Sequence, residues 1–215
     1  MKGILTSLVL LVAPPAWACD TALLLTIDVS NSIDVAEYRL QTDGMADAML
    51  DAEISDALIE GQVALAVMQW SGVGRQEVSI PWRQMRSIAD VRSFAADARA
   101  MPRAFVQSDT AIGDAVTFAL AQFADAPACA RRVIDVSGDG TLNAGSDTRA
   151  AVRAAERAGV TINGIAIESL GIVISNFFRG SVITRDGFVI TARRHLDYPR
   201  AIREKILREV SRVMF

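Results

Sequence analysis

Short continuous apolar runs alternate along this chain with longer stretches of helical period, and few folds accept that alternation. Residues 22–29 are almost wholly apolar, as expected of a strand buried on both faces. Residues 34–60 space Val35, Tyr38, Met45, Met49 and Leu50 as a helix does, and stop at Gly61. Residues 62–70 and 77–82 read as two more strands joined by a short glycine-containing turn, hence an antiparallel hairpin. Helices are expected over 87–100 and 110–123, and a buried strand over 132–136 that runs into Ser137-Gly138-Asp139-Gly140. A helix over 147–158 is closed by Gly159. Strands over 160–167 and 188–192 follow, with a short helix over 169–179 between them. Residues 198–213 form an amphipathic closing helix with Ile202, Ile206, Leu207 and Val210 on one side.

This order predicts an α/β fold: a doubly wound, mostly parallel sheet with one antiparallel edge strand and helices on both faces. Such folds bind ligands at the carboxyl ends of their strands, near the point where strand order reverses. Functional residues are therefore expected in the loops after the first and fourth parallel strands. The 215 residues suit one domain, and 51% hydrophobic against 22% charged residues supply a sizeable core. A net charge of -3 argues against a nucleic-acid partner.

The first residues read as a targeting segment. Lys2 precedes an apolar stretch over 4–13 that is too short to span a bilayer, and Ala16-Trp17-Ala18 has the small-x-small cleavage pattern. Cleavage after Ala18 leaves residues 1–18 as a signal peptide and 19–215 as one periplasmic or secreted domain, without a transmembrane segment. Lipoprotein processing at Cys19 is the alternative, disfavoured by the bulk of Trp17; a retained anchor is another.

Three loops offer oxygen donors. The first strand ends in Asp28-Val29-Ser30-Asn31-Ser32, a helix start carries Ser108, Asp109 and Thr110, and the fourth strand ends in Asp139-Gly140. Oxygen ligands suit a hard cation such as Mg²⁺, with Mn²⁺ or Ca²⁺ as alternatives. Hydroxyls of Ser30, Ser32 and Thr110 can bind directly, while Asp28 and Asp139 hold the metal's waters and orient the hydroxyls. Neutral first ligands leave the cation most of its charge, and so an attraction for an outside carboxylate. The competing explanation is that these residues only cap helices and shape turns.

Asp28-x-Ser30-x-Ser32, Thr110 and Asp139-Gly140 together resemble the metal-ion-dependent adhesion site of von Willebrand factor A domains and integrin inserted domains. The likeness covers nearly the whole mature chain, and residues 131–140 with Cys19-Asp20 are similar to an uncharacterised secreted bacterial subfamily of that fold. It implies metal-mediated protein binding, with the three hydroxyls near the metal and the two carboxylates mostly one water away. Asn31 stands where the family usually has glycine, at a position that is not a ligand. In the implied topology the first and fourth strands are neighbours. Cys19 lies nine residues before Asp28 and Cys129 ten before Asp139, so a Cys19–Cys129 bridge is expected at the opposite end of the sheet.

Lys2 and Lys205 are the only lysines and His195 the only histidine, which disfavours phosphate-loop, Schiff-base and multi-histidine zinc chemistry. The one enzyme reading, an esterase-like hydrolase with Ser30 as nucleophile and His195 as base, lacks a Gly-x-Ser-x-Gly turn. A non-enzymatic binding module is expected; oligomeric state and partner identity are not encoded legibly. Asp135, mid-strand, is expected to pair with an arginine or hydroxyl. The arginines of the closing helix, Arg200, Arg203, Arg208 and Arg212, are expected to form a solvated face pairing with Glu204 and Glu209.

Overall fold

Cys19–Asp28 form β1, nearly all of it buried, at the heart of a six-stranded sheet of order β3-β2-β1-β4-β5-β6. The computed structural model describes residues 18–106, 108–169 and 171–211. The expected leader up to residue 17, and Arg212 and Val213 of the expected closing helix, lie outside them. The other strands are β2 (Ala64–Trp70), β3 (Gln76–Gln84), β4 (Cys129–Gly138), β5 (Thr161–Ile167) and β6 (Val189–Ala192). β3 pairs antiparallel with β2 at one edge and every other pairing is parallel. Strand order reverses between β1 and β4, so the switch point lies where Asp28 and Asp139 leave the sheet.

Side-chain alternation splits β1 between two cores. Leu23, Leu25 and Ile27 pack with α1 (Val35–Leu50), α2 (Ala52–Glu60), α3 (Ile88–Ala100) and α7 (Tyr198–Val210). Leu24 points the other way, into a cluster with α4 (Ile112–Ala121) and α5 (Thr148–Arg157). Partly buried Ile174 of α6 (Val173–Phe177) packs against that same cluster. Complete burial of each such leucine contributes roughly 1.5–3 kcal/mol relative to exposure. The two-sided burial explains why β1 reads as an unbroken apolar run rather than an alternating one.

Helix ends follow local capping chemistry. Asp34 and Glu37 form a reciprocal capping box at the start of α1. The single helix expected over 34–60 is instead two, because Asp51 takes an extended ψ of 135° and its carboxylate accepts the Glu53 and Ile54 amides. α4 begins at Ile112 rather than Thr110, which stays in the preceding loop. The helix expected over 169–179 is the shorter α6, continued by a wide turn over Phe178–Val182.

Two polar assignments differ from expectation. Asp135 is buried and pairs with Lys205, whose Nζ lies 2.7 Å from its Oδ1, rather than with an arginine or hydroxyl. Glu209 does not join the solvated arginines: it is 3% exposed, contacts Lys205 and accepts the Asn163 amide at 2.8 Å. Its helical phase decides this, since Lys205 and Glu209 are one turn apart on the stripe that buries Ile202 and Ile206. Arg200 does pair with Glu204, and Arg203 reaches Asp51.

Cys19 and Cys129 face each other across β1 and β4 and form a disulfide, with Cα atoms 4.5 Å apart. It closes the sheet at the end opposite the switch point.

Candidate metal centre

A chain of short polar contacts joins four of the five expected donors. The Asp28 carboxylate accepts the Ser30 amide at 2.7 Å, a turn that bends the backbone out of β1. The Ser30 and Ser32 hydroxyls are 3.2 Å apart, and the Ser32 hydroxyl donates to Asp139 Oδ1 at 2.6 Å. Thr110 joins through Gly140, where an added Cβ would stand 3.6 Å from the threonine Oγ1. No hydrogen bond from that hydroxyl is found among the described residues.

The three loops are held together by backbone contacts. The Asn31 amide donates to the Ser108 carbonyl at 2.9 Å, and Asn143 both accepts the Thr110 amide at 2.8 Å and donates to its carbonyl at 3.2 Å. Ser108, counted in the sequence as a donor of the same loop, holds that loop instead by accepting the Gly72 amide at 3.1 Å. Arg103 braces the β1 loop by donating to the Val29 and Ser30 carbonyls, each at 2.9 Å. Gly113 lets α4 start against the 145–146 turn, because a Cβ there would lie 2.3 Å from the Ser146 carbonyl oxygen.

The electrostatics suit a bound cation. Asp28 is fully buried, and desolvation pushes its carboxyl up to about 7, against the lowering effect of the Ser30 amide and hydroxyl. Asp28 Oδ2 is buried without a hydrogen-bond partner. It lies near Trp70 and Phe178, since a Cβ added at Gly138 would be 3.3 Å from Oδ2 and 3.5 Å from each ring. Burial also raises the Asp139 carboxyl, opposed by the Ser32 hydroxyl bond and by His195. A set of two carboxylates and three hydroxyls, with Asp28 Oδ2 buried and unpartnered, has the donor chemistry of a hard divalent cation. Among the described residues no group of three or more histidine, cysteine, aspartate and glutamate side chains is placed to hold a metal ion.

The sequence missed Arg103, Asn143, Glu37 and the position of His195. His195 Nδ1 lies 2.8 Å from Glu37 Oε1, and Nε2 lies 3.8 Å from Asp139 Oδ2. A cavity of about 710 Å³ is lined by Ser32, Glu37, Asp139, Glu168, Arg194 and His195, among others. Its being the only histidine was the available signal for His195; Arg103 offered none. No hydrogen bond joins His195 to Ser30 among the described residues, and the Ser30 hydroxyl contacts that of Ser32.

A family profile described as "Protein of unknown function (DUF1194)" matches residues 18–214. No curated protein matches the sequence. Among solved structures, proximal thread matrix protein 1 (PTMP1) from the mussel byssus superposes with a TM-score of 0.67 at 16% identity, over 89% of this chain and 48% of that one. A von Willebrand factor type A protein from Catenulispora acidiphila gives 0.62 at 17% identity, over 90% and 43%. The vWF domain of the type V pili tip protein Mfa5 from Porphyromonas gingivalis gives 0.60 at 10%, over 93% and 99%. A further PTMP1 structure is described as having a zinc occupied MIDAS motif, with a TM-score of 0.61 at 17% identity over 90% of this chain and 46% of that one. This chain therefore spans about half the length of the PTMP1 and Catenulispora chains, and its fold is that of a von Willebrand factor A domain.

Proposed function

From a chain that belongs to the DUF1194 family and has the von Willebrand factor A fold, we propose a metal-dependent protein-binding module that captures an acidic group of a partner. The observation that carries this reading is the contact chain Asp28–Ser30–Ser32–Asp139, ending beside Thr110 at the switch point of the sheet. When bound, a divalent cation supplies an incompletely neutralised positive charge to which an outside carboxylate is drawn. The chain's own part is to hold donors in place: Asp28 through the Ser30 amide, Ser32 through Asp139, and Thr110 through Asn143. The zinc-occupied site described for PTMP1 supports a divalent cation here, and Mg²⁺ is our choice from the all-oxygen set.

The surroundings favour a protein over a small free anion. Of nine exposed large hydrophobic side chains among the described residues, Val35, Val73, Leu142, Val173 and Leu196 fall in the segments that follow the carboxyl ends of β1, β2, β4, β5 and β6. Exposed apolar groups around a charged centre suit a macromolecular interface. Among the described residues no helix is long and apolar enough to cross a membrane, and the Cys19–Cys129 bridge fits an oxidising compartment. A signal peptide over residues 1–18 and a periplasmic or secreted location remain part of the proposal.

Calorimetric titration of chelator-stripped protein with Mg²⁺ and Mn²⁺ tests the site. Wild type should bind one equivalent, and Asp28→Ala or Ser30→Ala should abolish it. Capture of a cell-envelope protein by wild type, released by chelator and absent with Asp28→Ala, tests the partner. Partner binding indifferent to chelation would overturn this reading.

A further inference from the structure

A second charged cavity lies at the other end of the sheet from the proposed metal centre. Arg131 and Arg132 stand near the start of β4, and Arg208 and Glu209 in the last turn of α7. With Asp186 they line a cavity of about 370 Å³. A neighbouring cavity of about 560 Å³ shares Thr161 and Asp186 with it and adds Arg185. Arg131 faces Thr21 across β1 and β4, two residues beyond the disulfide, whereas Asp28 leaves the far end of β1.

The three guanidiniums of the smaller cavity are held by neutral groups. Arg131 donates through Nε and Nη2 to the Thr21 hydroxyl, at 3.1 and 3.0 Å, and also to the Glu209 backbone carbonyl. Arg132 donates to the Ala158 carbonyl at the end of α5. The Arg208 guanidinium lies over the Phe188 ring, 3.9 Å from its centroid. A hydroxyl, a carbonyl or a ring positions a guanidinium without neutralising it, unlike the carboxylates that take Arg200 and Arg203. The two carboxylates of the lining have donors of their own. Asp186 accepts the Thr161 hydroxyl at 2.8 Å, and Glu209 accepts the Asn163 amide and contacts Lys205. Three fixed cations therefore open onto a cavity whose acids are already engaged.

We infer that this cavity is a binding site for a phosphate group, carried either by a free ion or by a lipid headgroup, with Arg131, Arg132 and Arg208 as its donors. The planar fork of a guanidinium matches phosphate oxygens in pairs, and its charge does not titrate in the working range of proteins. A tetrahedral oxyanion can accept from several directions at once, which suits donors arriving from β4 and from α7. Because Thr21, Ala158 and Phe188 preset the side chains, little ordering remains to oppose binding. The site shares no residue with the proposed metal centre, so the two readings stand or fall separately.

The test titrates full-length protein with inorganic phosphate in a low-salt buffer, for wild type, Arg131→Gln, Arg208→Gln and Asp28→Ala. Arg203→Gln, which removes a guanidinium paired with Asp51, is the control. Wild type should bind one equivalent, more weakly as salt is added. Arg131→Gln and Arg208→Gln should each weaken binding about 10-fold or more, and Arg203→Gln and Asp28→Ala should keep it within about twofold. Should Arg131→Gln disturb the fold in thermal melts, Arg208→Gln decides, since Arg208 is exposed and rests on a ring. Flotation with phosphatidylcholine vesicles, with and without phosphatidylglycerol, separates the two sources. Arg208-dependent capture by the charged vesicles identifies a headgroup, and phosphate binding without vesicle capture identifies a free ion. Equal affinity for succinate overturns the choice of phosphate. Loss of binding in Asp28→Ala overturns the location, and binding that ignores Arg208, or no binding to phosphate or vesicles, overturns the site.

Discussion

The Asp28 carboxyl, pushed by burial from 3.8 up to about 7, links cation binding to pH. In the unfolded chain it returns to its ordinary value, so across that window the folded, cation-free protein binds the extra proton. Its stability therefore falls as pH rises from the ordinary value to about 7, and Asp135, also raised to about 7 by burial, adds to the same slope. Asp28→Asn should flatten part of that slope in chelator-treated protein, read by thermal melts at the two ends of the window. A divalent cation must displace the proton, so its affinity should rise over the same window in calorimetry. An affinity flat with pH counts against Asp28 as part of the centre. The five candidate oxygen donors could be singled out in the sequence because each sits where a predicted strand or helix ends. The place of His195 could not be read: one histidine in a turn looks the same in sequence whether it faces solvent or Asp139.

Among elements, α7 is docked by a buried charge cluster as well as by its apolar stripe. Lys205, wholly buried, lies between Asp135 of β4 and Glu209 one turn on, and Asn163 of β5 donates to Glu209. Lys205→Met would leave two uncompensated carboxylates in the core, and should cost about 3–5 kcal/mol in urea unfolding. Adding Asp135→Asn should recover part of the loss, because it removes one of the stranded charges; no recovery would mean that packing of the lysine stem, not charge, holds the helix. The apolar phase of α7 was readable from Ile202, Ile206 and Val210. The inward turn of Lys205 and Glu209 was not, since charged residues are read as solvated until a buried counter-charge is known.

At the scale of the molecule, staple and centre sit at opposite ends of β1. The Cys19–Cys129 bridge is at its first residue and Asp28 at its last, about 30 Å apart at strand rise. The bridge links positions 110 residues apart, so Cys19→Ser with Cys129→Ser should lower stability by about 2–4 kcal/mol. Sites this distant act independently, so divalent-cation affinity should be unchanged below the new melting transition. A parallel loss of cation affinity would show that the sheet transmits strain along β1.

Periodicity and end signals in the chain were enough to set the order of strands and helices, the layered α/β architecture and the three donor loops, because hydrophobic period and capping act over a few residues. With the topology that the family resemblance implies, the cysteine pairing followed too. What needed three dimensions was every contact between residues distant in the chain: the Ser32 hydroxyl on Asp139, the Asn143 clasp of Thr110, the Arg103 brace, the buried Lys205 cluster and the Glu37–His195 pair. Such contacts depend on which loops the crossovers bring side by side. No local pattern records that, since a polar side chain is chosen for a partner that may lie a hundred residues away.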